Sequence, residues 1–161
     1  MKTYVSHLEC AYSGERFERG VVHTISTIGK PIVVKYDLDR LANEVDRSSI
    51  EHSKNPGFWR YSPLLPVSSE ENMVSLGEVI TPLIRLENLK TILGFEADSV
   101  FIKDESRLPT GSFKARGLGM AVSMAKELGI RHLSIPTNGN AGSALAAYAS
   151  RAGIRCTVLC P

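Results

Sequence analysis

Two short segments carry residues whose types and order could do chemistry. The first is Pro109-Thr110-Gly111-Ser112-Phe113-Lys114-Ala115-Arg116-Gly117, in which a glycine-containing loop runs straight into a helix. Ser112 is placed to cap that helix and Lys114 to occupy its first turn. A first-turn lysine lies beside the positive end of the helix dipole, where a further positive charge is disfavoured, and a neutral amine is what Schiff-base chemistry requires. The second segment is Pro136-Thr137-Asn138-Gly139-Asn140-Ala141-Gly142-Ser143, between a strand and a helix. Its glycines let the backbone approach a ligand, and the N–H groups at the helix start suit a carboxylate. Read singly, each has a plainer meaning: a solvated helix lysine, and an ordinary Gly/Asn turn.

The elements that must position these segments follow from periodicity. A strand at Val100 to Lys103, a loop from Asp104 to Gly111 and a helix from about Ser112 to Leu128 are predicted. Phe113, Leu118, Ala121, Met124, Ala125 and Leu128 recur near helical spacing, and Gly129 stands where a helix C′ glycine belongs. Then come a strand at His132 to Ile135, a helix at Gly142 to Arg151, and a third apolar run at Cys156 to Cys160. Strand, helix, strand, helix, strand implies an α/β fold with a mostly parallel sheet and flanking helices. Because Pro161 follows a strand with no helix to cover it, a truncated chain is expected, with a small domain buried against a partner as the alternative.

The first sixty residues read differently. Short extended stretches at Val21 to Ile25 and Pro31 to Tyr36, separated by Gly14, Gly20 and Gly29-Lys30-Pro31, predict a small β-rich appendage. A short helix is expected at Asp39 to Val45, capped by Asp37 or Asp39, and a turn at Asn55-Pro56-Gly57. The division is therefore residues 1–60 and 61–161.

Composition narrows the class. The chain has 161 residues and a net charge of +2, with no basic block interleaved with aromatics, so no nucleic-acid partner is expected. No apolar run reaches membrane-spanning length and Met1 to Cys10 lacks the apolar centre of a secretory signal, which together imply a cytoplasmic protein and no membrane partner. Cys10, Cys156 and Cys160 then read as free thiols.

The lysine segment resembles the PTGSFKxRG motif of fold-type II pyridoxal phosphate (PLP) enzymes, with likeness extending upstream through Phe101-Ile102-Lys103-Asp104-Glu105-Ser106. The second segment resembles their S/T-x-G-N loop, with Asn138 where many relatives have serine or alanine. Leu76-Gly77-Glu78-Val79-Ile80-Thr81-Pro82-Leu83 is similar to an LGEGxTPL entrance, with Val79 in place of the usual glycine. Trp59-Arg60-Tyr61 with Leu64-Leu65-Pro66, and Pro31-Ile32-Val33-Val34-Lys35-Tyr36-Asp37-Leu38, resemble the WRY…LP approach and N-terminal ribbon of the threonine synthase family.

That resemblance implies a partial fold-type II PLP enzyme. Lys114 would be the catalytic, Schiff-base lysine, with Asn140 and Ser112 as cofactor contacts, Arg116 in support, and Thr137, Asn138, Gly139, Ala141 and Gly142 receiving an amino-acid substrate. The implied reaction is O-phosphohomoserine plus water to threonine plus phosphate, by a homodimer at full length. Glycine-rich phosphate-loop and pyridine-side residues are expected downstream, so the chain alone should be inactive. A threonine/serine dehydratase and a non-catalytic remnant are the alternatives. Relatives often carry two CxxC pairs in the ribbon; here only Cys10 remains, and with His7 and His23 it falls short of a tetrahedral zinc site, so no metal is expected.

Overall fold

The computed structural model describes residues 3–55, 57–86, 92, 94 and 100–161. Pro56 of the expected Asn55-Pro56-Gly57 turn and Ser99 before the expected strand lie outside the described residues. The N-terminal region is a three-stranded antiparallel sheet with β1 (Val5–Cys10) in the centre, flanked by β2 (Arg16–Phe17) and β3 (Ile32–Tyr36). The Val21 to Ile25 stretch is not a strand, a correction to the reading from β-branched content. Both edges of β1 are already taken by β2 and β3, so this segment finds no free edge there and instead lies over a cavity it shares with a helix of the following region.

Helix α1 (Leu38–Glu44) starts where Asp37 caps it: the Asp37 side chain accepts from the Arg40 N–H at 3.0 Å. Asp46 does the same for α2 (Arg47–Glu51), accepting from Ser49 N–H at 2.6 Å. After Gly57–Leu64, a 3₁₀ segment, the chain passes to β4 (Leu83–Arg85), which pairs antiparallel with β5 (Phe101–Lys103).

Two long helices then alternate with strands: α3 (Lys114–Glu127), β6 (His132–Pro136), α4 (Asn140–Ala152) and β7 (Arg155–Leu159). β6 and β7 pair in parallel through α4, the arrangement expected for a βαβ unit. The expected single parallel sheet is not what the described residues form, however. β5 joins β4 rather than β6, with the ladder extended by Leu86 N–H to Val100 carbonyl at 2.8 Å and Asp104 N–H to Pro82 carbonyl at 3.0 Å. The hydrogen-bonding capacity of β5 on that side is thus taken by an antiparallel neighbour that periodicity alone could not reveal.

The core sits between α3 and α4. Val74, Leu108, Ala115, Val122, Ala125, Leu145, Tyr148, Ala149 and Ile154 form it, with Leu133, Ile135 and Cys156 of the parallel strands packed on it. Gly119 lets the helices approach closely, since a Cβ there would lie 3.0 Å from Tyr148 Cε1. Gly129 (φ 68°) ends α3, with Ile130 N–H bonding the Ala125 carbonyl at 2.8 Å and Gly153 (φ 69°) ending α4 in the same way. No helix among the described residues is long and apolar enough to cross a membrane.

Candidate functional site

Lys114 begins α3, directly after a loop in which two successive residues have positive φ: Thr110 at 64° and Gly111 at 70°. A β-branched residue in that region is costly, and Thr110 is the one such non-glycine among the described residues. Its effect is to turn the chain so that Ser112 is extended (φ −152°, ψ 160°) and Phe113 takes the cap position. Ser112 is therefore not the side-chain N-cap expected for it. Its hydroxyl is buried and has no hydrogen-bond partner among the described residues. Lys114 Nζ lies 4.7 Å from the centroid of the Phe113 ring, and among the described residues it pairs with no carboxylate.

The second segment is built by β6 and α4. Thr137 N–H continues the parallel ladder to the Leu159 carbonyl at 2.9 Å, and its Oγ1 accepts from Gly139 N–H at 3.1 Å. Gly139 adopts φ 152°, a conformation open to glycine. The first intrahelical bond runs from Ser143 N–H to the Gly139 carbonyl at 3.0 Å, so the amides of Asn140, Ala141 and Gly142 are the first-turn donors that the helix itself leaves unused. Asn138, Gly139 and Asn140 are exposed. Gly142 is buried instead: a Cβ there would come within 2.6 Å of both Thr137 and Val158, so its glycine is explained by helix-on-sheet contact. The turn Pro109–Gly111 packs against α4, which brings the two segments to the same end of the α3–α4 pair.

Beneath them lies a polar layer that motif spacing did not announce. Glu78 is 3 % exposed, and its carboxylate accepts from Tyr148 OH at 2.5 Å, Ser75 Oγ at 2.6 Å and Leu76 N–H at 3.0 Å. Burial alone pushes the carboxyl upward, but the three hydrogen bonds outweigh it and hold Glu78 below its ordinary range. Burial and the adjacent Glu78 push the Tyr148 phenol far up, so it stays a neutral donor. Gly57 packs so tightly here that a Cβ would lie 2.0 Å from the Glu78 carbonyl oxygen.

Arg116 anchors the start of α3 to the loop before it. Its Nε donates to Glu105 Oε2 at 2.5 Å, and its Nη2 donates to Glu105 Oε1 at 2.8 Å and Thr81 Oγ1 at 3.2 Å. This two-pronged contact, against burial and with help from the Thr81 hydroxyl, draws the Glu105 carboxyl down to about 2. Arg116, two residues after Lys114, thus ties the first turn of α3 to Glu105 and Thr81. The Glu78 and Tyr148 pair is separated by 70 residues in sequence, and only the polar type of Glu78 within an otherwise apolar stretch hinted at it.

In the ribbon, Cys10 is buried and receives the Ser13 N–H at 3.4 Å, while the His23 ring is engaged with the Glu18 carbonyl at 2.9 Å. Among the described residues, no group of three or more His, Cys, Asp or Glu is placed to hold a metal ion.

Residues 74–161 match the model of the family described as pyridoxal-phosphate dependent enzyme. Curated relatives include the threonine synthase of Methanocaldococcus jannaschii, 35 % identical over 152 residues, which cover 94 % of this chain and 37 % of that protein. The threonine synthase of Halalkalibacterium halodurans is 48 % identical over 108 residues, 64 % of this chain and 30 % of that protein. That of Methanosarcina acetivorans is 35 % identical over 156 residues, 96 % of this chain and 37 % of its own. The chain thus spans about a third of the length of these relatives. With more than half of its length under that family model, the chain belongs to the pyridoxal-phosphate dependent enzymes.

Proposed function

We propose that this chain is the N-terminal part of a threonine synthase, a PLP-dependent lyase that converts O-phosphohomoserine and water to threonine and phosphate. The observation that carries the reading is that likeness to two of these threonine synthases runs through the ribbon as well as the catalytic segment, over 94 % and 96 % of the chain. A division into a ribbon unit, residues 1–60, and a catalytic segment, residues 61–161, goes with this reading, as do a cytoplasmic location and a homodimer.

The residues present fit PLP by the chemistry of their donors. Lys114 offers a primary amine for the cofactor's aldehyde, at the end of a helix where it meets no carboxylate among the described residues. Ser112 offers a buried hydroxyl without a partner, a group that protein interiors rarely leave unsatisfied unless a ligand completes it. Asn140 offers an exposed side-chain amide for a cofactor oxygen. When bound, PLP supplies an electron sink for chemistry at the α carbon of an amino acid.

The chain's own contribution is orientation and proton transfer. Lys114 Nζ takes up and returns protons at the substrate, and the Arg116–Glu105 clamp holds the first turn of α3 so that Nζ stays in reach. Thr137, Asn138, Gly139, Ala141 and Gly142 receive the substrate carboxylate, chiefly through the unused backbone N–H groups at the start of α4. Gly142 contributes an amide rather than open space, given its contact with β7.

Two measurements test the reading on the enzyme carrying this chain. Borohydride reduction followed by peptide mapping is expected to place the cofactor on Lys114, and Lys114→Ala to abolish the near-visible absorbance; label on Lys103 or Lys126 overturns the assignment. With O-phosphohomoserine and threonine at equal concentration, phosphate release is expected to exceed 2-oxobutanoate formation. The reverse order identifies a dehydratase.

A further inference from the structure

Segment 74–81 lies across both long helices and is hydrogen-bonded to each. Val74 N–H donates to Ser123 Oγ of α3 at 2.9 Å, and Glu78 accepts from Tyr148 OH of α4 at 2.5 Å. Thr81 Oγ1 accepts from Arg116 Nη2, in the first turn of α3, at 3.2 Å and donates to Glu105 Oε1 at 2.6 Å. The Glu78 carboxylate stiffens the segment between these ties, since it also takes Ser75 Oγ at 2.6 Å and Leu76 N–H at 3.0 Å. Glu78 and Thr81 are both buried and three residues apart, so a displacement at the α4 tie is passed on to the α3 tie.

Apolar packing does not by itself set this geometry. The core between α3 and α4 is built from Ala115, Val122, Ala125, Leu145 and Ala149 among others, with Gly119 against the Tyr148 ring. Such contacts are non-directional and resist separation of two helices more than sliding of one along the other, whereas a hydrogen bond fixes both distance and angle. A carboxylate and a phenol buried together also carry a desolvation cost that an apolar pair would not, and a polar network with every member bonded specifies one arrangement. Lys114 and the 138–142 turn stand at the same end of the two helices, and groups that share a reaction must be held to within about 0.5 Å.

We propose that Glu78 and Tyr148 are positioning residues: through segment 74–81 they fix the start of α3, with Lys114, against the start of α4, with the 138–142 turn. The inference rests on the reading that Lys114 carries the cofactor. Peptide mapping tests that reading, while the orientation of the bound cofactor is a separate measurement, so either can fail alone.

The enzyme carrying this chain is loaded with PLP and three properties are read. They are the rate at which the near-visible absorbance develops, the circular dichroism of that band relative to its absorbance, which reports how the cofactor is oriented, and the midpoint of urea unfolding. Tyr148→Phe is expected to slow attachment about tenfold, the scale of a sub-ångström displacement, and to change the dichroism ratio. Thr81→Val cuts the same segment from Arg116 and should do the same, and it decides the matter if Tyr148→Phe does not fold. Glu78→Gln should retain both cofactor readouts, because its amide can accept from Tyr148 and Leu76 and donate to Ser75. Ile154→Val trims the core just beyond the far end of α4 and should lower the urea midpoint while leaving both cofactor readouts unchanged. Loss in Glu78→Gln as well as in Tyr148→Phe and Thr81→Val supports the proposal and shows that the tie needs the charge. Wild-type readouts in Tyr148→Phe or in Thr81→Val, or equal changes in Ile154→Val, overturn it.

Discussion

The ribbon and the block formed by α3, α4, β6 and β7 handle polar groups and backbone strain in opposite ways. In the ribbon's three-stranded sheet and its turns, residues 3–36, every positive-φ residue is a glycine, at positions 14, 20 and 29, and the buried groups Cys10 and Ser26 are satisfied, by the Ser13 N–H and by the Lys30 N–H at 3.0 Å. The block, the loop leading into it and the Glu78 segment bonded to it hold a threonine at φ 64°, a buried hydroxyl with no partner among the described residues and a buried carboxylate. Such arrangements cost stability, and proteins keep them where a ligand or a reaction uses them. On the proposed reading, the ribbon sheet serves shape and the block chemistry.

The two regions also differ in what holds them up. The buried apolar cluster draws no residue from before Val74, so the ribbon contributes little to the block's core, whereas a three-stranded sheet with few buried side chains depends on what it leans against. Damage should therefore travel one way. Gly142→Val, which forces side-chain atoms into the space of Thr137 and Val158, is expected to destabilise the block by about 3 kcal/mol and to release the ribbon's amides with it. Hydrogen exchange resolved by residue checks this. Ribbon amides that stay protected while α4 exchanges would show two independent folding units and break the asymmetry.

A smaller effect follows at the polar layer. Tyr148→Phe keeps the ring that packs on Gly119 but removes a donor from a carboxylate that is 3 % exposed, and should cost about 1–2 kcal/mol in chemical denaturation. Tyr148→Phe combined with Glu78→Gln should cost less than the sum of the two alone, because both act on one hydrogen-bonded unit. Additive losses would mean that the two residues do not share an interaction.

Much of this arrangement could be read before any coordinates, for reasons that are local. The α1 cap at Asp37, the C-terminal glycine of α3, Gly129, and the succession α3, β6, α4, β7 follow from hydrophobic period and terminal residues, which act over a few positions. What failed was what depends on partners distant in sequence. Val21 to Ile25 has the composition of a strand but no free edge on β1, and β5 chose β4, which lies on the far side of a long intervening stretch. Ser112 looked like a cap because serine before a helix usually is one, yet two successive positive-φ residues rotate it into the interior. The motif lysine and asparagine stand out in the sequence by residue type, while the Glu78–Tyr148 pair required the fold to bring it together.

Strain offers the next contrast. Thr110→Asn replaces a β-branched residue with one that tolerates φ 64°, and should raise stability by about 1 kcal/mol. If the strained turn serves to aim Lys114, the same variant should slow cofactor attachment, read as the rate at which the near-visible absorbance develops. A variant that is more stable and attaches the cofactor at an unchanged rate would show the strain to be incidental, and the block to be less different from the ribbon than its backbone suggests.

The smallest effect belongs to the ribbon and comes from its one buried thiol. The Ser13 hydroxyl and N–H, then the Ser26 hydroxyl, draw Cys10 from its ordinary 9.0 down to about 7 against the opposing influence of burial. A group with a lowered value in the folded state releases its proton more readily there than when unfolded. Its stabilising contribution is therefore complete above pH 9, where both states are ionised, and fades as pH falls through 7, where both become protonated. Protection of the ribbon amides, corrected for intrinsic exchange, should rise between pH 7 and 9 while the block's does not, and Cys10→Ser should remove the rise because a serine hydroxyl does not ionise in that range. A pH-dependent gain of equal size in both regions, or one that survives Cys10→Ser, would place its source outside the thiol and deny the ribbon an ionisable device of its own.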